Sequence, residues 1–412
     1  MDVNSSHDIT SSLVTFKQDD PAFIADPYPV FAELRAQGEV HWHEDMGLAL
    51  AVSHAASSAV LRHRSLGRIW SDVKPVDAFA SFNLLHRNSL LENEPPTHGR
   101  LRRLVAAAFG RGHVERLRPW IAALSDRLVD ELCAKIADQG SADLLAHVAA
   151  PLPVEVIAEL LGVPASERPL LQPWSNAIVK MYEFGLAPEK KDAAERAATD
   201  FVAYLRDLIA LRRKQPSDDL VSDLVAVTDT DGGRLTEDEL VATAVLLLMA
   251  GHEATVNVIG NGVLALMRNP SQWQRLVADP ALLPTATEEL IRYDSPLQLF
   301  ERTATEQVEI AGFTVEPGQK IAALLGAAAR DPLVFDSPDT LDITRFPNQH
   351  MGFGAGIHYC LGAPLARIEV EGALSALSRK LPEATLAAEP RRRAEFVIRG
   401  LHELRLSNGA EA

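Results

Sequence analysis

The chain has 412 residues, 47% hydrophobic and 23% charged, with a formal net charge of -16. That composition supports a large globular core, and the acidic balance argues against a nucleic-acid surface, which must neutralise phosphates. Cys133 and Cys360 are the only cysteines, which excludes a disulfide framework and a Cys-rich metal site.

Residues 1–20 read as a polar, acidic tail with neither a basic n-region nor an apolar stretch. Residues 21–412 read as one unit, because prolines and glycines fall singly at element ends and no linker divides the chain. A soluble, cytoplasmic protein is expected, mainly α with small β sheets. Amphipathic helices are predicted over 27–37, 98–109, 119–138, 153–161 and 192–214. Strand signals fall at 40–52, at 396–406 and at 307–323, where 308–310 and 313–315 flank Ala311-Gly312 as in a hairpin. Between them, Arg100, Arg102, Arg103, Arg111, His113, Arg116 and Arg118 stand against one acid, Glu115. Alone, that stretch reads as a solvated helix pair and loop.

The clearest element lies in the centre. Thr236 with Glu239 forms a capping box, and an apolar pattern then runs to Asn269-Pro270, which stops it. At about 1.5 Å per residue this helix is roughly 50 Å long and must cross the middle of the molecule. Its apolar run 240–250 is interrupted by Thr243 and is too short to span a bilayer. Inside it lies a polar island, Ala250-Gly251-His252-Glu253-Ala254-Thr255-Val256-Asn257.

One thiol is set in a glycine-rich loop, Phe353-Gly354-Ala355-Gly356-Ile357-His358-Tyr359-Cys360-Leu361-Gly362, just before a predicted helix. Gly354 and Gly356 let the backbone turn sharply and approach a flat cofactor, and Gly362 lets the helix pack closely. N–H groups after Cys360 and the helix N-terminus would stabilise a thiolate suited to an axial bond to haem iron. Haem propionates need cations. His98 and Arg102, spaced i, i+4, could grip one carboxylate, with His358 beside the loop and Arg302 before a β segment. Glu289 and Arg292, spaced i, i+3, with Arg345 further on, read as a charge network that must be kept whole. Its expected role is structural, holding the loop that presents Cys360.

With these residues the chain, from about Asp26 onward, resembles a bacterial, soluble cytochrome P450. The Cys360 loop matches that family's Phe-x-x-Gly-x-x-x-Cys-x-Gly signature, Glu289-x-x-Arg292 its K-helix motif, and 250–255 its oxygen-binding stretch of the long I helix. The resemblance implies a haem-thiolate monooxygenase fold with haem b between the I and L helices. It makes Cys360 the ligand, with His98, Arg102, Arg302 and His358 as propionate partners and Phe353 and Gly362 beside the sulfur. It also implies a distal pocket drawn from Trp70, Phe82, Leu246, Ala250, Leu297, Leu299 and Leu401, suited to a hydrophobic small molecule. No flavin or nicotinamide domain fits in the chain. Electrons are therefore expected from a ferredoxin and its reductase, with the basic stretch as dock. A monomer is expected, with no nucleic-acid or membrane partner.

One departure stands out. Similar proteins carry an acid and then Thr or Ser, which together bring protons to bound O2. Here Glu253 supplies the acid, Ala254 occupies the alcohol position, and Thr255 lies about 100° further round the helix. Three readings stay open: an ordered water or substrate hydroxyl replaces the alcohol, the reaction needs less proton help, or the alanine is tolerated with some loss of coupling. The leading function is monooxygenation. A P450-type oxidase that couples or closes rings without inserting oxygen is the alternative, and a non-catalytic haem sensor the third.

Overall fold

A computed structural model describes residues 16–110, 112–228 and 232–409. The helices that build the site are α1 (Tyr28–Gln37), α2 (His54–Arg62), α3 (Ala80–Arg87), α4 (Thr97–Phe109), α5 (His113–Gln139), α6 (Pro151–Leu161), α7 (Leu171–Val179), α8 (Pro188–Lys214), α9 (Glu237–Arg268), α10 (Leu283–Tyr293) and α11 (Ala363–Lys380). The first sheet contains β1 (Val40–His43), β2 (Leu48–Ala51) and β3 (Leu66–Gly67), and β4 (Ala142–Asp143) belongs to a second. Then come β5 (Leu299–Ala304), the hairpin β6 (Val308–Ile310) and β7 (Phe313–Val315), β8 (Lys320–Leu324), β9 (Ala384–Leu386) and β10 (Arg405–Asn408).

The central helix forms where the capping box predicts. Thr236 Oγ1 accepts from the Glu239 N–H at 3.2 Å, and the Thr236 N–H donates to Glu239 Oε2 at 2.8 Å. α9 then continues for 32 residues. Taken whole it is long and apolar enough to cross a membrane, unlike its 240–250 segment alone, but 72% of its most apolar stretch is buried against the protein. It is the axle of the core, packed on α3, α6, α8, α10 and α11. α11 lies along α5.

The larger sheet has the order β1-β2-β8-β5-β3, with β2 and β8 parallel and its other pairs antiparallel. The predicted hairpin turns at Ala311 (φ 49°) and Gly312 (φ 79°), two left-handed residues in succession as a tight hairpin turn requires.

Two elements differ from the sequence expectation. The helix predicted to begin at Pro119 begins at His113, so Pro119 lies inside α5. Its missing N–H forfeits one helical bond, and packing compensates, since Val114 and Ile121 on either side are buried. The strand expected over 396–406 forms only at Arg405–Asn408. Upstream there are two isolated bridges, Leu297 with Ile398 and Arg392 with Leu401. The N–H groups of Phe396, Val397 and Ile398 donate instead to the Glu183 carboxylate, at 3.2, 3.2 and 2.9 Å. They are no longer available to a ladder.

Candidate active site

Cys360 lies three residues before α11, with Gly362 as the helix N-cap. Its own N–H donates to the Phe353 carbonyl at 2.9 Å, closing the loop on itself. Gly354 and Gly356 take φ of +71° and +70°, and a Cβ on Gly356 would lie 2.4 Å from the Leu61 carbonyl oxygen on α2. Glycine is therefore required there by both conformation and space. The thiol is exposed but closely ringed by protein. That crowding pushes its pKa up, while the N–H groups of Gly362 and Ala363 and the cations Arg102 and Arg367 pull against it. Such a sulfur is reactive chiefly once a metal or cation claims its negative charge.

Around the loop the predicted propionate partners converge. His98 on α4 and His358 lie with ring centroids 4.4 Å apart, and Arg102 donates from Nη2 to the Tyr359 carbonyl at 2.7 Å. Arg302 on β5 is buried and donates to the Glu301 carbonyl at 2.7 Å, with no carboxylate ion pair among the described residues. Burial, then Arg68, brings its pKa down to about 10. His98 Nε2 is buried without a hydrogen-bond partner among the described residues. Burial and the neighbouring His358 and Arg102 lower that imidazole to about 4. An orphaned buried nitrogen and a desolvated guanidinium beside a thiol loop fit a haem whose carboxylates would meet them. Glu94, which sequence reasoning passed over, accepts the Arg68 N–H at 2.8 Å and sits 2.8 Å from His358 Nε2. It orients that histidine.

The predicted triad assembles as one buried knot that ties α10 to the 329–348 segment preceding the loop. Glu289 and Arg292, both fully buried, form a two-pronged pair at 2.7 and 2.8 Å, and Arg345 Nε reaches Glu289 Oε2 at 3.1 Å. Arg292 also donates to the carbonyls of Ala329 and Pro338, and Glu289 accepts the Asp342 N–H and Asn348 Nδ2. Every charge in this knot is satisfied, the condition under which a buried ion pair is tolerated.

On the other side, α9 is mostly buried, with gaps in its middle at Leu246, Leu247, Ala250, Gly251, Ala254 and Val256. Leu246 and Ala254 are half-buried and Ala250 is exposed, at i, i+4, i+8, so the middle of the core helix borders open space. Trp70 and Phe82 meet through His86, whose ring stacks on both at 4.7 and 4.0 Å. Leu297 is half-buried, whereas Leu299 and Leu401 are packed into the core.

The polar island resolves into two directions. Thr255 is turned away from the open stripe: its hydroxyl donates to the Gly251 carbonyl at 3.2 Å and is bonded to Glu369 on α11, whose pKa burial raises well above the ordinary value. His252 bonds to Ser175 on α7 at 3.2 Å, a plain interhelical contact. Glu253 accepts from Arg393 Nη2 at 2.9 Å. Sequence reasoning missed that arginine because Arg391-Arg392-Arg393 reads as a solvated charge run, although Arg392 and Arg393 both turn inward.

The basic stretch is less free than its sequence suggests. Arg100 pairs with Glu239, Arg116 with Asp218, His113 with Asp223, and Arg118 with Glu115 and Glu371. Acids from distant elements neutralise it, leaving Arg102 beside Cys360 and an exposed Arg103; Arg111 lies outside the described residues.

A thiol at a helix start, polar side chains converging beside it and a long helix less buried at its middle are compatible with a haem bound through cysteine. The family model for cytochrome P450 matches residues 71–281 and 277–381. The chain is 40% identical to the cytochrome P450 monooxygenase PikC of Streptomyces venezuelae over 95% of its own length and 93% of that protein's. It is 44% identical to the mycinamicin IV hydroxylase/epoxidase of Micromonospora griseorubida, covering 72% of this chain and 73% of that one. Among solved structures, P450BioI in complex with a hexadec-9Z-enoic acid ligated acyl carrier protein superposes with a TM-score of 0.89 at 32% identity, covering 94% of this chain and 99% of that one. The chain belongs to the bacterial cytochrome P450 family and is a monooxygenase, and the family implies a haem bound through a cysteine thiolate.

Proposed function

We propose that residues 21–412 form one catalytic unit that binds haem b through Cys360 and hydroxylates or epoxidises a hydrophobic small molecule in the cytoplasm. A natural-product intermediate is the favoured substrate class, by analogy with the mycinamicin enzyme. When bound, the haem supplies the oxidising chemistry with O2. The chain's residues supply the rest. Gly362 and Ala363 hold the sulfur, His98, Arg102, Arg302 and His358 hold the carboxylates, and the Leu246–Ala250–Ala254 stripe excludes water from the reacting bond. Glu253 passes protons on through its carboxylate, which is ionised at rest. Electrons come from a ferredoxin and its reductase, received over Arg102 and Arg103, and the protein works as a monomer.

The observation that carries this reading is the Cys360 sulfur, bracketed by two backbone N–H groups and backed by the unpartnered His98 nitrogen. The carbon monoxide difference spectrum of the reduced protein tests it. A thiolate-type red-shifted band is expected, and Cys360→Ala should abolish it; its absence from the unmodified protein would overturn the assignment. A second reading, bond coupling or ring closure without oxygen insertion, is favoured by the Thr255 hydroxyl being committed to Gly251 and Glu369. Product analysis under labelled O2 separates the two.

A further inference from the structure

The C-terminal segment before β10 runs along the 253–257–261 side of α9 and meets it with two side chains, Arg392 at Asn261 and Arg393 at Glu253. Arg393 Nη2 donates to Glu253 Oε1 at 2.9 Å and to Asn257 Oδ1 at 3.2 Å. Asn257 is itself fixed, because its Nδ2 donates to the Glu253 carbonyl at 2.9 Å. Behind these contacts, Arg393 Nε lies 3.2 Å from Glu395 Oε2 without the alignment of a hydrogen bond. Glu395 is in turn paired with Lys180, in the turn that follows α7. Two acids and two cations alternate along this line, Glu253, Arg393, Glu395 and Lys180, and their charges cancel.

The segment is built to deliver that arginine. The Arg393 N–H donates to the Gly400 carbonyl at 3.1 Å. A Cβ on Gly400 would lie 2.1 Å from Asn257 Oδ1 and 2.7 Å from Arg393 Nη2, so the guanidinium passes only where residue 400 has no side chain. Glu183, three residues after Lys180, grips the segment through the three N–H groups of Phe396, Val397 and Ile398. The Arg399 N–H bonds the Pro296 carbonyl at 2.7 Å. The guanidinium is hydrogen-bonded through Nη2 and has a carboxylate beside Nε before any substrate arrives.

We infer that Arg393 is a positioning residue for Glu253: it fixes the rotamer and charge of the acid, and Glu395, Lys180 and Gly400 fix Arg393. The inference rests on the proposed role of Glu253 as the proton-handling group. Glu253 is buried, which by itself would raise its pKa. Arg393, His252 and Lys180 overcome that and hold it below the ordinary carboxylate range. Facing it are His252 (Nε2 at 3.6 Å) and Asn257 from its own helix, Arg393 from the C-terminal segment and Lys180 from the turn, with Glu395 one step behind. Among the described residues, Arg393 is the one cation in direct hydrogen bond with it. Removing it leaves burial to dominate, and the carboxylate pKa should rise by about one unit or more.

The test uses ferric holoenzyme. An infrared pH titration follows the protonated carboxyl band that Glu253→Gln abolishes. In Arg393→Gln that band should appear about one pH unit or more higher than in the unmodified protein, with Arg393→Lys between the two. Gly400→Ala, which keeps the arginine but crowds it, should shift the band the same way and guards against a misfolded Arg393 variant. Superimposable titrations in the unmodified protein and in either folded variant, Arg393→Gln or Gly400→Ala, overturn the inference. The proton-handling reading is judged separately, by hydrogen peroxide released per NADPH consumed with a surrogate ferredoxin and its reductase. If Glu253→Gln leaves that ratio unchanged across pH, the role of the acid fails while the infrared shift still decides whether Arg393 governs it.

Discussion

The two faces of the site are built by opposite means. Around Cys360 the loop is closed by local backbone bonds, and the segment leading to it is tied to α10 by a charge network with every member satisfied. Two of its three charges are one helical turn apart in sequence. Across the groove, the acid is set by side chains 140 residues away along the chain, reaching in from a segment with almost no regular structure. Sulfur placement is therefore a property of a short stretch that folds almost the same way wherever it is rigidly backed. Proton placement depends on long-range assembly.

The largest expected effect breaks the rigid side. Arg292→Ala removes the two-pronged partner of a fully buried carboxylate and should cost about 3 kcal/mol, read by chemical denaturation and haem retention. A loss under about 1 kcal/mol, the range of an exposed pair, would show that the triad is not what holds the loop. Next, Gly356→Ala adds a methyl group 2.4 Å from the Leu61 carbonyl at φ +70°, which should cost about 1–3 kcal/mol. Unchanged melting and unchanged haem content in that variant would mean the loop can move, against the rigidity argued here.

On the groove side, Ala254→Thr restores an alcohol on the open stripe. It should lower peroxide released per reductant consumed by on the order of twofold. Equal ratios would mean that position 254 is irrelevant to proton traffic. Arg103→Glu should slow reduction by ferredoxin by roughly threefold at low salt, with less effect at high salt, and leave ligand-induced spectral shifts alone. A salt-independent rate equal to that of the unmodified protein would remove this face as the dock.

The smallest effect is acid stability. Burial works to raise the Glu288 pKa, but His350 and Arg367 outweigh it and lower it from 4.5 to about 2. Because the folded-state value is depressed, the stability it contributes is present above about pH 4.5 and lost as pH falls toward about 2. Glu288→Gln should therefore narrow the difference in melting temperature between pH 5 and pH 3. If the two proteins melt in parallel across that range, the Glu288 pairing adds nothing.

Much of this was legible in one dimension because its signals are local. The capping box at Thr236, the Ala311-Gly312 turn, the Glu289–Arg292 spacing and the glycines around Cys360 each state a backbone requirement within a few residues. Those requirements hold in any tertiary setting. Sequence also identified Ala254 as the departure, since a helix's angular step makes Thr255 face elsewhere. It could not show that Glu94 orients His358, that four acids from elsewhere in the chain pair with most of the basic stretch, or that Glu183 takes the N–H groups a strand at 396–398 would need. Nor could it show which of three consecutive arginines turns inward to hold Glu253. Charge pairing in a low-dielectric interior depends on which distant segments meet, and only the assembled packing around α9 decides that.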